Sequence, residues 1–519
     1  GLLVAGFDNQ TNSKIHSKTL ILRKTEDVTK VQTEVDIENN KVFEETTLQW
    51  VERQLFDQLF SGEHTLDSSD QHTLEWLVDI ANSKRNEPDK RRYTYENGNL
   101  TPTTIFRSYS ELDEDATNIG VDYSYEFTGP WGSDSTLKTG LFGYDKERDF
   151  RLARYGFLFR DSTLDRTDDI ENIMTSENFT DGKVKLTSQN DDNAWYSASE
   201  TLNAFYLSGE FSLDDTWTVL LGARYEEATQ EIAYTDEDAK AIPVDKKYDD
   251  ILPAVNFTLR QTNGNQWRLA FSQTVSRPGF VEINSSSQFD PETDQQIIGN
   301  PNLETASVNN FDARYEYYWD DDQSLSVGVF AKEIDKPIEK AIAEGKSVDK
   351  AYTFRHSDSA TLIGLELDIQ KTIASFDSWE VSLGGNVSII DAEVTLDDKG
   401  QQLEGREKRK LQGQSEFLAN LNLGFIDVSG VQSVYLVTNY FGDRIDVVNN
   451  ASSGDRIEVG RVLLDAVYRY EFDSGLQIDA KAKNLLDEEV TYTVQGQRQR
   501  LYEEYEEGVT LSIGITYPF

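Results

Sequence analysis

Apolar and polar residues alternate along this chain with a period of two. In the last eleven residues Val509, Leu511, Ile513, Ile515, Tyr517 and Phe519 are apolar, and Thr510, Ser512, Gly514, Thr516 and Pro518 separate them. A strand sends successive side chains to opposite faces, so this segment has one apolar face and one small or polar face. Val462, Leu464, Ala466, Tyr468, Tyr470 and Phe472 repeat the pattern around Asp465, Arg469 and Glu471. Leu476, Ile478, Ala480 and Ala482 do so around Gln477, Asp479, Lys481 and Lys483. Further copies run through Ile363 to Ile369, Phe311 to Trp319 and Ile119 to Phe127. Counted back from Phe519, the period predicts about 18 strands. They fall at 1–9, 44–54, 72–83, 117–128, 136–148, 199–212, 215–228, 249–261, 265–276, 306–319, 323–334, 360–371, 378–389, 413–426, 431–441, 460–472, 475–485 and 507–518.

The links between these strands come in two kinds. Short ones such as Thr262-Asn263-Gly264-Asn265, Asp320-Asp321-Asp322-Gln323 and Asp473-Ser474-Gly475 have the composition of hairpin turns. Long polar ones alternate with them, at roughly 149–195, 228–248, 277–304, 335–358, 390–410, 442–458 and 487–504. A soluble β-sandwich also alternates, but nothing makes it gather its long loops at one end. An outer-membrane barrel does so, with short periplasmic turns and long extracellular loops. Aromatic residues such as Tyr317, Trp319, Tyr470, Phe472, Trp217 and Trp379 end the apolar faces, where such a barrel carries its interfacial girdles. The predicted fold is therefore all-β, a transmembrane antiparallel β-barrel. Within the loops, 338–346 is expected to form a short helix.

Composition changes this picture little. The 519 residues include 93 Asp and Glu against 50 Lys and Arg, a formal net charge of −43. That balance argues against a nucleic-acid partner, whose phosphates need neutralising cations. The absence of Cys excludes disulfides and thiolate metal sites. No apolar run of about 18 residues is present, so no transmembrane helix is expected. A hydrophobic share of 37% resembles that of a soluble protein. A barrel reaches the same value, because only alternate strand residues face lipid and the loops are polar.

Five segments carry a resemblance. Ser276-Arg277-Pro278-Gly279-Phe280 closes one strand, and Gly299-Asn300-Pro301-Asn302-Leu303 follows, leading into Ser307-Val308-Asn309-Asn310-Phe311-Asp312. The next strand ends Val329-Phe330-Ala331-Lys332-Glu333-Ile334-Asp335-Lys336-Pro337-Ile338; Asn484-Leu485-Leu486-Asp487 closes the penultimate strand, and the last ends in Phe519. In this order the chain resembles the barrel of TonB-dependent outer-membrane receptors, best over 200–519. The resemblance implies a 22-stranded barrel plugged by an N-terminal domain, in the outer membrane of a Gram-negative bacterium. It also implies import of a large nutrient, powered by a TonB-type inner-membrane partner. The chain starts at Gly1-Leu2-Leu3-Val4-Ala5-Gly6-Phe7, which looks like the middle of a strand. Residues 1–519 are accordingly expected to be the barrel portion of a longer receptor, about four strands short of 22 and without the plug.

Catalysis has little support: nucleophile-elbow, zinc-protease and phosphate-loop motifs are all missing. No cofactor and no metal site is expected, and His16, His64, His72 and His356 read as surface or turn residues. The acidic runs Asp113-Glu114-Asp115, Asp168-Asp169 and Asp236-Glu237-Asp238 read as solvated loop surface, with cation-bridged contact to lipopolysaccharide. Beside the expected mouth, Arg277, Phe280, Asn300 and Asn302 are the candidate ligand contacts, with loop aromatics Tyr155, Phe157, Phe159, Tyr234 and Tyr352 behind them. Asp465, Arg469, Asp479 and Lys481 are the candidate lumen lining.

The expected function is active import of a siderophore-type iron chelate, a cobalamin-like cofactor or an oligosaccharide. The alternatives are a passive 18-stranded porin and a soluble β-rich adhesin.

Overall fold

Nineteen strands continue one another in an antiparallel meander. The computed structural model describes the chain apart from residues 37–38, 190–194, 235–241, 290–294, 321–322, 344–350, 450–453, 496–499 and 518–519. The strands are β1 (Leu2–Asp8), β2 (Ser13–Asp36), β3 (Lys41–Thr65), β4 (His72–Glu96), β5 (Phe106–Thr128), β6 (Asp134–Phe159), β7 (Trp195–Ser212), β8 (Trp217–Tyr234), β9 (Val244–Arg260) and β10 (Gln266–Ser276). After them come β11 (Ala306–Asp320), β12 (Gln323–Asp335), β13 (Ser359–Ser375), β14 (Trp379–Thr395), β15 (Phe417–Asp427), β16 (Gln432–Phe441), β17 (Arg461–Glu471), β18 (Gln477–Lys483) and β19 (Thr510–Thr516). The sheet has 22 strands; three short ones, Asn99–Leu100, Val184–Ser188 and Lys408–Lys410, each hang on a single neighbour, which leaves the nineteen.

The register lines up the apolar positions from strand to strand. Tyr225 of β8 stands between Phe205 and Ile251, and Leu269 of β10 between Phe257 and Ala313. Leu365 of β13 stands between Val329 and Ile389, and Ala480 of β18 faces Ile513. This face is open: Ile251 is 69% exposed and Ile513 77%. A soluble sheet would bury such a face; here lipid covers it, and the fold is a transmembrane antiparallel β-barrel. Around its short-turn end runs an aromatic girdle that includes Trp76, Tyr125, Trp267, Tyr315, Tyr317 and Trp319. The Lys371 ammonium lies 4.1 Å from the Trp319 ring centre, its stem running along the apolar face toward the interface.

All the predicted strands are present, and the prediction lacks one. Over β2 the outward face reads Ile15, Ser17, Thr19 and Ile21, Leu20 and Leu22 are apolar on the other face, and the strand then continues through Lys24, Asp27 and Lys30, so no apolar alternation marks it. With nineteen strands, β1 and β19 run in the same direction.

Strand length was underestimated too. A barrel strand crosses the hydrocarbon in about 9–11 residues, whereas β2 to β6 have 24, 25, 25, 23 and 26. Their upper halves extend beyond that span and mix charged with apolar residues on both faces, so the period-two signal fades there. The expected helix at 338–346 is instead a strand, Ile338–Ile342, paired with Ala351–His356; its last residues lie outside the described ones. Pairing with a neighbouring segment satisfies its backbone, which a lone helical turn would leave open.

Candidate ligand-binding mouth

The long links gather at the end opposite the short turns, and they fold together. The 277–305 loop leaves β10 at Arg277. This guanidinium is 12% exposed, lies 2.8 Å from Glu226 of β8 and also pairs with Asp250 of β9. Gln230 Nε2 donates to the Pro278 carbonyl at 3.0 Å, and Tyr248 donates to Gln230 Oε1 at 2.9 Å. The loop therefore starts sewn to the inward faces of β8 and β9.

A short helix, Phe280–Ile283, then crosses the mouth. The Phe280 ring lies 4.8 Å from the Lys146 ammonium and 5.3 Å from the Arg148 guanidinium, both of β6. Ile283 and Leu303 are fully buried, packed with Tyr196, Ala198, Ile232 and Val244 from β7, β8 and β9. Further along, Phe289 stacks on Arg154, whose other face meets Phe106 at 3.9 Å. Gly299 explains itself: a Cβ there would sit 2.3 Å from the Asn284 carbonyl oxygen.

The 336–358 loop continues the cap. Ser287–Phe289, Gln296–Ile298, Ala351–His356 and Ile338–Ile342 make a small four-stranded sheet across the two loops. His356 clasps them: its Nε2 accepts from the Glu304 N–H at 2.7 Å, and its Nδ1 lies 2.9 Å from the Lys336 carbonyl. A neutral ring with the proton on Nδ1 satisfies both contacts. A second four-stranded sheet, Arg444–Val447, Arg456–Glu458, Val490–Val494 and Arg500–Tyr505, joins the last two long loops.

Buried charge holds the caps to each other. Arg409 donates to both oxygens of Glu339 at 2.8 Å and to Glu404 at 3.0 Å. Glu404 also accepts from Arg355 and Arg406, and Arg406 forks onto Asp455 at 2.7 and 2.8 Å. The side chains of Arg409, Glu339, Glu404 and Asp455 are 1–3% exposed. Three loops that start on different strands thus share one ionic network. Outside it, Asp391 and Glu416 raise the Lys410 ammonium to about 12, mainly by accepting its hydrogen bonds. Lys336 holds the Glu304 carboxyl below its usual range.

The predicted contacts fall unevenly. Arg277 and Phe280 are built into the wall of the mouth. Asn300 ties Glu282, Asn302 and Phe354 together through its backbone and side chain, and Asn302 is exposed. Phe157 and Tyr352 are buried among the loops, and Tyr234 donates to Asn284. Asp465, Arg469, Asp479 and Lys481 share the polar face of β17 and β18, Arg469 donating to Asp479 at 2.8 Å. His64 and His72 lie in the outward girdle, against Trp76 and Tyr125. The run 236–238 lies outside the described residues. Sequence reasoning missed Arg409, Glu339 and Glu404 altogether. Their single signal, a run of charged loop residues such as Arg406 to Lys410, is one that many solvated loops share.

The family model described as TonB dependent receptor-like, beta-barrel, matches residues 39–485. None of the curated proteins matches the chain. Among solved structures, BauA, the ferric preacinetobactin receptor of Acinetobacter baumannii, superposes with a TM-score of 0.57 at 13% identity over 98% of this chain and 74% of its own. The siderophore receptor PiuA of the same organism gives 0.53 at 12%, over 99% and 80%. The copper transporter OprC gives 0.54 at 11%, over 100% and 79%. At such identities the likeness is one of fold.

Proposed function

The chain belongs to the family of TonB-dependent receptor β-barrels, and from that premise we propose that it imports a large, scarce nutrient actively. It resides in the outer membrane of a Gram-negative bacterium, and its family comprises transport receptors, not enzymes. The nutrient is a siderophore-type iron chelate in the first place, with a cobalamin-like cofactor or an oligosaccharide as the other classes. Energy comes from a TonB-type inner-membrane partner, acting on a plug domain that precedes the barrel portion formed by residues 1–519. Asn302 and its neighbours at the mouth, Arg277, Phe280 and Asn300, shape the receiving surface. Asp465, Arg469, Asp479 and Lys481 line the path below.

One observation carries this reading. The 277–305 loop folds inward over four strands of the barrel wall and is locked to a cap of further loops. That is a receiving surface, whereas a passive pore needs a clear mouth. The outer wall supports a lipopolysaccharide contact as well. Just above the apolar band, Asp145, Glu147 and Asp149 of β6, Glu227 and Glu231 of β8, and Asp245 and Asp249 of β9 point outward and are exposed. Divalent cations would bridge this belt to anionic headgroups.

Growth of a deletion strain on defined iron, cobalamin and carbohydrate sources tests the import reading. Loss of growth on one source, restored by the gene and abolished again without the inner-membrane energising protein, is the expected result. Growth restored without that protein, together with a large steady conductance in planar bilayers, would overturn it in favour of a pore.

A further inference from the structure

Within the mouth, several buried hydrogen-bonding groups have no partner, and three of them fall within one stretch of five residues. Asn284 Nδ2, Ser286 Oγ and Gln288 Nε2 are buried atoms that bond to nothing. The residues stand at every second position, and they are 0%, 1% and 6% exposed. Ser285 and Phe289, at the other parity, are half-buried. In an extended segment this alternation puts the three groups on one side of the loop. Asn284 Oδ1 is already used, accepting from Tyr234 and from the Ser286 N–H, so the amide of Asn284 is fixed with its NH2 free.

Buried polar groups in folded proteins are nearly always paired, and three lapses within five residues call for an explanation. All three atoms can donate; an amide nitrogen can do nothing else. What would satisfy them is a set of acceptor oxygens. Three cations lie nearby, two of them paired to carboxylates. Lys146 and Arg148 lie under Phe280 at one end of the segment, and Arg154 stacks on Phe289 at the other. Glu200 meets Lys146 at 3.1 Å and Glu114 meets Arg148 at 2.5 Å.

We propose that the side of the loop bearing Asn284, Ser286 and Gln288 is a subsite for the anionic, oxygen-rich part of the ligand, carboxylate or chelating oxyanion. The proposal rests on the import reading and narrows its ligand to an acceptor-rich anion. Entry requires the 284–289 segment to lift, with Phe289 leaving Arg154, since the donors are closed to solvent while the loop is down.

The test uses the full chain in detergent, titrated calorimetrically with citrate, with ferric citrate and with neutral maltohexaose. Ser286→Ala and Gln288→Met remove donors that have no partner in the free protein, so neither lowers the thermal midpoint through a lost bond. The unmodified chain is expected to bind citrate or ferric citrate and not maltohexaose. The double variant S286A/Q288M is expected to bind about tenfold more weakly, at an unchanged or higher ligand-free midpoint. Equal binding by the double variant, preference for maltohexaose, or no binding of any probe by the unmodified chain would overturn the subsite. Failure of the import reading is a separate result: anion binding that depends on Ser286 and Gln288 in a protein that sustains no energised uptake.

Discussion

Arg409 and Glu339 meet through two parallel 2.8 Å hydrogen bonds, with both side chains 2–3% exposed and 70 residues apart in the chain. Such a pair contributes little against an apolar substitute, but breaking it strands a charge in the interior, at about 3–5 kcal/mol. Arg409→Met is therefore expected to loosen the cap, read as new protease cleavage in the 336–358 and 396–416 loops while the barrel persists. Adding Glu339→Gln removes the stranded carboxylate and is expected to restore part of the resistance. Unchanged cleavage in the single variant would show that the network does not hold the loops.

Phe280 seats the loop on β6 and β7. Phe280→Ala removes a buried ring, a change that costs about 3–5 kcal/mol in well-packed sites. Hydrogen exchange across 277–305 is expected to rise steeply, and much less for Phe280→Leu. Equal exchange in the two would mean that the ring is not the anchor.

Gly299 and Gly384 separate close approach from ordinary packing. A Cβ at Gly384 meets nothing nearer than 3.9 Å, whereas at Gly299 it would strike backbone at 2.3 Å. Gly299→Ala is expected to displace the loop and raise its exchange, with Gly384→Ala close to neutral in the same measurement.

Two exposed lysines and the carboxylates they pair with set a pH plateau for the cap. Glu304 is lowered from 4.5 and Lys336 raised from 10.5, each chiefly by their mutual hydrogen bond. A depressed carboxyl contributes above its ordinary value and loses this as pH falls through the lowered one. A raised ammonium contributes below 10.5 and loses this as pH rises through the raised one. For Lys410 the alkaline loss runs from 10.5 to about 12. Loop exchange, corrected for its intrinsic pH dependence, is expected to be flat between about pH 8 and 10. Lys410→Gln should abolish part of the alkaline step.

Leu365 and Glu366 of β13 test the two faces of the barrel. Lysine on the lipid side near the bilayer centre costs about 2–4 kcal/mol, falling toward the interface. Leu365→Lys is expected to lower the folded fraction in lipid vesicles, and Glu366→Lys, on the polar face, to leave it nearly unchanged. Equal losses would reverse the assignment of faces.

The sequence by itself determined the repeating unit of this protein. Leu365 between Glu366 and Gly364, or Ile513 between Ser512 and Gly514, reports its face locally, because a strand has period two and lipid accepts only one kind of face. Short and long links likewise reveal the two ends without any knowledge of contacts. Tertiary structure decided the rest. β2 lies outside that signal because Ser17 and Thr19 interrupt its outward face between Ile15 and Ile21, and its upper half keeps register by pairing with β3. That Arg277 is held by Glu226 and Asp250, and that Phe280 lies over Lys146 and Arg148, is equally invisible in the local pattern. Arg409 reads as one more loop cation, and only the meeting of three loops makes it interior. Those contacts depend on residues far apart in the chain, and a local pattern carries no trace of them.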